Sequence, residues 1–202
     1  MDKKAEIYRC GKHLFSLKGF KDTNVAEIMK MAGMAAGTFY NYYPSKETLF
    51  LDIYNEENVI LKKSIMESLD VNADPMHTMQ QMMLLNYQGM NSNPILREWY
   101  NRDVFNKIEK SFCEEKGLKN VDFLYSNFIE IVREWQAAGR MRSDIDAELI
   151  MAMFTALIVA ETHKDEIGIQ YFPHLIEYLA EFTMKGLLDC PARTLNEEED
   201  DL

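Results

Sequence analysis

The sequence predicts an all-α protein: an N-terminal three-helix head joined to a larger helical body, about nine helices in all. Three observations carry that prediction. Apolar residues recur at steps of three and four along most of the chain. Only five prolines and nine glycines punctuate its 202 residues. No run alternates apolar and polar side chains as a half-buried strand does. The boundaries expected are 1–48 for the head, 49–190 for the body and 191–202 for an acidic tail.

The first helix is expected over Lys3–Lys18, where Ile7, Cys10, Leu14 and Leu17 repeat at helical spacing, flanked by Gly11, Phe15 and Lys18. "KGFKD" breaks it, with Gly19 as the C-terminal cap. Asn24 followed three residues later by Glu27 fits a capping box, with Thr23 as the other possible cap. The short second helix turns Val25, Ile28, Met29 and Ala32 inward and ends at Gly33. "GMA" is then a turn before a third helix, Ala36 to about Tyr43. Pro44 stops that helix, and Ser45 with Lys46-Glu47 starts a fourth. Two short helices joined by a tight glycine turn, behind a supporting helix, make a helix-turn-helix unit. Further breaks fall at Asp70–Pro75, Met90–Pro94, Glu114–Asn120, Ala137–Asp144 and His163–Gly168.

Composition narrows the function. Net charge is −11, but it is divided unevenly. Through Phe50 there are eight Lys/Arg against five Asp/Glu, and beyond it fourteen against twenty-eight. A basic head on an acidic body lets one end approach a polyanion. Cys10, Cys113 and Cys190 are far apart and form no CxxC pair, which argues for a reducing compartment and against disulfides or a zinc site. The N-terminus lacks the apolar run of a signal peptide. The longest apolar stretch, Leu149–Ala160, is twelve residues, short of the ~20 that span a membrane. A cytoplasmic protein with no membrane partner is expected. His13, His77, His163 and His174 show no metal-ligand spacing, and neither a phosphate loop nor a nucleophile elbow occurs. No enzyme, cofactor or metal is expected.

The stretch "MAGMAAGTFYNYYPSKETLF", Met31–Phe50, concentrates the chemistry. A recognition helix has to enter a major groove about 12 Å wide. Ala35, Ala36 and Gly37 let its backbone come close, and free N–H groups at its start attract phosphate. Thr38, which could meet base edges or phosphate, Asn41 and the methyl of Ala36 are the expected contacts to base edges. Tyr40, Tyr42 and Lys46 offer donors to the DNA backbone, while Phe39 and Tyr43 turn inward. Thr23 and Asn24, opening the preceding helix, complete the expected DNA-contacting set.

In order and spacing, "LF…KGFKDTNVAEIMKMAGMAAGTFYNYYPSKETLF" closely resembles the DNA-binding head of the TetR family of bacterial repressors. The matching features are Gly19-Phe20, Thr23, Ile28, Ala32-Gly33, Gly37-Thr38, Tyr40, Tyr42-Tyr43 and Lys46-Glu47-Leu49. "AAGRMRSDIDAELI", Ala137–Ile150, looks like the turn before that family's dimerising helices. The resemblance implies a homodimeric, ligand-responsive regulator that binds double-stranded operator DNA, most often a repressor. Two positions depart from the pattern. Ala35 stands where a Ser or Thr cap is common, and Ala36 where a long polar side chain is common. Discrimination by spacing and DNA shape is therefore expected to weigh more than bidentate hydrogen bonds.

The body suits both remaining tasks. From Ala147 to Glu161 apolar side chains surround the helix, and Ala152, Ala156 and Ala160 form a ridge at steps of four. With Leu175, Leu179 and Phe182 of a last helix spanning about 169–188, they make the expected dimer interface. The middle helices carry Met79, Met83, Asn86, Tyr87, Trp99, Phe105, Phe128 and Trp135, soft and aromatic groups able to line a pocket for a small hydrophobic effector. The acidity of the body fits either a cationic effector or a surface that is kept off DNA. The alternative is a DNA-binding regulator with no small-molecule effector, controlled by a protein partner or by its abundance.

Overall fold

The computed structural model describes residues 2–114, 122–172 and 174–188, and among these every regular element is a helix. The elements are α1 (Lys3–Lys18), α2 (Val25–Met31), a 3-10 helix (Ala36–Asn41), α3 (Lys46–Ser68), α4 (Pro75–Ser92), α5 (Pro94–Arg97) and a 3-10 turn (Glu98–Tyr100). Then come α6 (Arg102–Glu114), α7 (Asp122–Ala137), α8 (Ala147–Thr162), α9 (Lys164–Ile167), a 3-10 turn (Ile169–Tyr171) and α10 (His174–Leu188). The acidic tail and the interior of the break expected at Glu114–Asn120 lie outside the described residues.

Local chemistry sets the boundaries. Asp2 accepts from the N–H groups of Lys4 and Ala5 to open α1, at 2.9 and 3.3 Å. Gly19 closes it at φ 78°, a conformation that costs other residues strain. The capping box of α2 is complete: Asn24 Oδ1 accepts from Glu27 N–H at 3.0 Å, and Glu27 accepts from Asn24 N–H at 3.4 Å. Ser45 caps α3 by accepting from Thr48 N–H at 3.1 Å.

Two departures from expectation stand out. The third helix of the head is a 3-10 helix ending at Asn41, and Ala35 gives its start no side-chain cap. At the other end, α10 begins only at His174. The 3-10 turn Ile169–Tyr171 and the extended backbone of Phe172 fill the start of the helix expected there.

The chain forms two compact units. The first comprises residues 1–69 and 80–124, so the head shares its unit with α3, α5 and α6. Its core is built on aromatic rings. Phe15, Phe20 and Phe50 meet with centroids 5.0–6.1 Å apart. Phe50 leads along α3 to Tyr54 at 6.4 Å, Tyr54 stacks on Trp99 at 5.2 Å, and Trp99 meets Phe105 edge-on at 4.8 Å. Each fully buried ring contributes roughly 1.5–3 kcal/mol by leaving water.

The second unit comprises residues 70–79 and 125–202. Here "GRMRSD" works as a hub for backbone carbonyls. Arg140 donates to the carbonyls of Asn72 and Ala73 at 3.0 Å each, and Trp135 Nε1 to that of Val71 at 3.1 Å. Arg142 donates its backbone N–H to Leu187 O at 3.0 Å and its guanidinium to Gly186 O at 3.3 Å. It thereby satisfies carbonyls that the end of α10 leaves without helical partners.

Candidate nucleic-acid interface and body sites

The head is α1 supporting α2, a turn, and the 3-10 recognition segment. Gly33, at φ 68°, reverses the chain, and Met34 N–H donates to Met29 O at 2.9 Å. Phe39 and Tyr43 are buried as expected, and their rings meet at 5.8 Å. They anchor the segment so that its other face meets solvent. Ala36, Gly37, Tyr40 and Asn41 are exposed on that face, Tyr40 to 63%, with Thr38 and Tyr42 half-exposed beside them. Exposing so large an aromatic side chain on a rigid, anchored segment suits contact with a partner surface.

Three of the expected DNA contacts are engaged within the head itself. Thr23 is buried, and its hydroxyl donates to Gly19 O at 2.8 Å. The Asn24 side chain, though exposed, serves the capping box. The Lys46 ammonium donates to the carbonyls of Phe20 and Thr23 at 2.8 Å each and lies 4.1 Å from the Phe20 ring centroid. Burial holds its pKa below the ordinary lysine range. Lys46 is thus a clasp on the α1–α2 loop, where the sequence suggested a phosphate donor. Buried carbonyls need donors, and lysine supplies them here across 23 and 26 residues.

A second set of contacts ties this loop to the segment before α6. Glu98 accepts from Phe20 N–H at 2.9 Å and from Asn101 Nδ2 at 3.1 Å. A Cβ at Gly19 would come within 2.5 Å of Glu98 Oε1, so a larger residue there would push the Glu98 carboxylate aside as well as strain the backbone at φ 78°. Lys21 pairs with Asp103 and draws its carboxyl below the usual range. An open groove of ≈ 540 Å³ lies here, between the end of α1 and residues 94–101. Sequence reasoning missed Glu98, because its partner lies 78 residues away.

The eight expected pocket residues are distributed over both units. In the first, Trp99 and Phe105 belong to the aromatic core, Met83 and Asn86 are half-buried, and Tyr87 is exposed. In the second, Met79 and Trp135 are buried, and buried Phe128 meets Phe154 edge-on at 5.8 Å.

On α8, Ala152 and Ala156 are exposed and Ala160 is half-buried. Leu149 and Val159 flank them, each at least half exposed. On α10, which packs against α8, Tyr178, Leu179 and Phe182 are exposed and Leu175 is half-buried.

Among the described residues, an all-helical arrangement with a capped α2, a glycine turn and a small-residue segment on the surface is a helix-turn-helix unit. The family model described as "Bacterial regulatory proteins, tetR family" matches residues 7–53. The HTH-type transcriptional regulator YdgC of Bacillus subtilis (strain 168) is 32% identical over 194 residues, 94% of this chain and 85% of that protein. The match to YxaF, another HTH-type regulator of the same organism, is 29% over 80 residues, 39% of this chain and 42% of YxaF. The chain belongs to the TetR family of transcriptional regulators. Its fold is shared by Thermus thermophilus FadR, a TetR-family repressor solved in complex with lauroyl-CoA. That comparison has a TM-score of 0.68 and 20% identity, covering 94% of this chain and 97% of FadR. No described helix is long and apolar enough to cross a membrane.

Proposed function

We propose that the chain acts as a homodimeric repressor that holds operator DNA with two recognition segments and releases it when a small apolar effector binds the body. The observation that carries the reading is the presence, on one chain, of an exposed small-residue recognition segment and an exposed apolar strip on α8 and α10. The strip supports dimerisation, since contiguous apolar surface of this kind marks an interface. A dimer is what operator binding requires, because two heads spaced ~34–36 Å apart read successive major grooves. Ala36, Gly37, Thr38, Tyr40, Asn41 and Tyr42 form the contact set, with Thr23 and Lys46 holding the head in shape. An effector works by binding better to a conformer whose heads are wrongly spaced.

The test is a gel-shift of the purified protein on the DNA flanking its own gene, with sedimentation to count chains and a ligand panel to seek release. One dimer per operator and release by at least one apolar compound are expected. Binding that no compound relieves would favour the effector-free regulator instead.

A further inference from the structure

Lys62 lies on α3 and Asn86 on α4, both half-buried, and the Lys62 ammonium donates to Asn86 Oδ1. Among the described residues no carboxylate pairs with this lysine, and burial alone pushes its pKa down from 10.5 to about 8. The pair is rich in donors: three N–H on the ammonium and two on the amide, matched by a single amide oxygen. A charge withdrawn from water without a counter-charge is costly, and an incoming anion relieves that cost. By helical spacing methionines surround Asn86, while half-buried Asn58 stands one turn before Lys62 on α3. Met82, Met83 and Met90 stand one turn to either side of Asn86 on α4, and buried Ile65 lies one turn beyond Lys62 on α3. Gly89 lets the two helices approach, since a Cβ there would fall 2.2 Å from Leu61 Cδ1. Donors without an acceptor amid methionine describe the head-group end of a site for an amphiphile.

We propose that Lys62 and Asn86 form the head-group subsite of the effector site and take an apolar molecule carrying a carboxylate or phosphate. This rests on the ligand-sensor reading and names the class of ligand. Of the two readings the acidic body left open, it favours the one in which that acidity keeps the body off DNA. The anion completes the hydrogen bonding of Lys62 and Asn86, and the chain lies along the methionines. Because α3 also carries Lys46, the clasp of the head loop, a ligand held at Lys62 acts on the helix that leaves the head.

The test uses the full-length protein and probes of one chain length, below their micellar concentrations: dodecanoate, lauroyl-CoA, dodecanol and dodecyltrimethylammonium. Calorimetry and thermal shift are compared for wild type, Lys62→Met and Lys62→Arg. The expected result is that an anionic probe binds at least tenfold more tightly than the alcohol or the cation. Lys62→Met should lose at least tenfold for that probe and Lys62→Arg should keep most of its affinity. Whichever anion binds, dodecanoate or lauroyl-CoA, distinguishes a free carboxylate from a phosphate-bearing head. Lys62→Met should melt no lower than wild type without ligand, so a folding defect is visible at once. Equal affinity of Lys62→Met for the anion, or a preference for the alcohol or the cation, overturns the subsite and leaves the sensor reading intact. If no probe binds, and no compound of the wider panel releases operator DNA, both fail together.

Discussion

The ammonium of Lys46 holds the carbonyls of Phe20 and Thr23 and rests over the Phe20 ring. Removing it leaves two carbonyls without their donor, while hydrogen bonds from a charged group are worth about 1.5–3 kcal/mol. Lys46→Met is therefore expected to lower the stability of the protein by about that much in chemical denaturation. The slope of log K against log salt should stay at the wild-type value, because no phosphate contact is lost. A slope reduced by about one would return Lys46 to the DNA backbone. Lys62 gives the second prediction. Its folded pKa of about 8 lies below the ordinary 10.5, so between these values the unfolded chain binds more protons. Stability due to this group thus rises with pH across that window, by up to about 3 kcal/mol. The difference in unfolding free energy between Lys62→Met and wild type should shrink by that amount from pH 7.5 to 10.5, and a constant difference would place the ammonium in water. Neither role is legible in sequence. The Asn24–Glu27 capping box was, because both partners lie within one turn. Lys46 and Lys62 take their character from groups 23–26 residues away, which no local pattern reports.

At the scale of the element, the recognition segment is the informative case. Its start was legible, since Gly33 and Pro44 bracket it in the sequence, but it ends at Asn41, two residues short of the expected Tyr43. Its 3-10 form was not, because six residues are too few for a three-residue and a 3.6-residue turn to differ in apolar spacing, and Phe39 and Tyr43 point inward in either. Ala35 already has the extended backbone of an N-cap, φ −67° and ψ 141°, but no side-chain oxygen. Ala35→Ser is expected to stabilise the protein by about 0.5–1 kcal/mol, read as a raised denaturation midpoint with unchanged m-value. An unchanged midpoint would mean that the N–H groups at the start of the segment already have adequate solvent partners. The aromatic chain from Phe15 through Phe50, Tyr54 and Trp99 to Phe105 belongs to this scale too. The sequence offered Trp99 and Phe105 as pocket lining. In the fold they join α3 to the α5–α6 region, Trp99 by stacking on Tyr54 and Phe105 by its edge-on contact with Trp99. Composition reports that rings are present, but only the crossing of helices decides which rings meet.

For the whole molecule the decisive surface is α8 with α10. A lone chain exposes Leu149, Val159, Tyr178 and Phe182 on these helices, with Ala152 and Ala156 between the first two. This face was legible because α8 is apolar all round, more than one unit's core can cover. Ala156 is exposed, so a glutamate there meets water in the monomer and costs that state little. In a dimer packed through the alanine ridge, the same carboxylate is buried without a partner, at a cost of about 3–5 kcal/mol. The whole effect of Ala156→Glu therefore falls on association. Sedimentation should show a monomer at concentrations where wild type is dimeric, with helicity by circular dichroism unchanged. Operator affinity should fall steeply, because one head alone forfeits the second half-site and the effective concentration that links it to the first. Ala152→Glu, one turn earlier on the same ridge, should behave alike, whereas Lys164→Glu on α9 should leave association unchanged. If Ala156→Glu still sediments as a dimer and binds operator as wild type does, the two heads are joined through some other face.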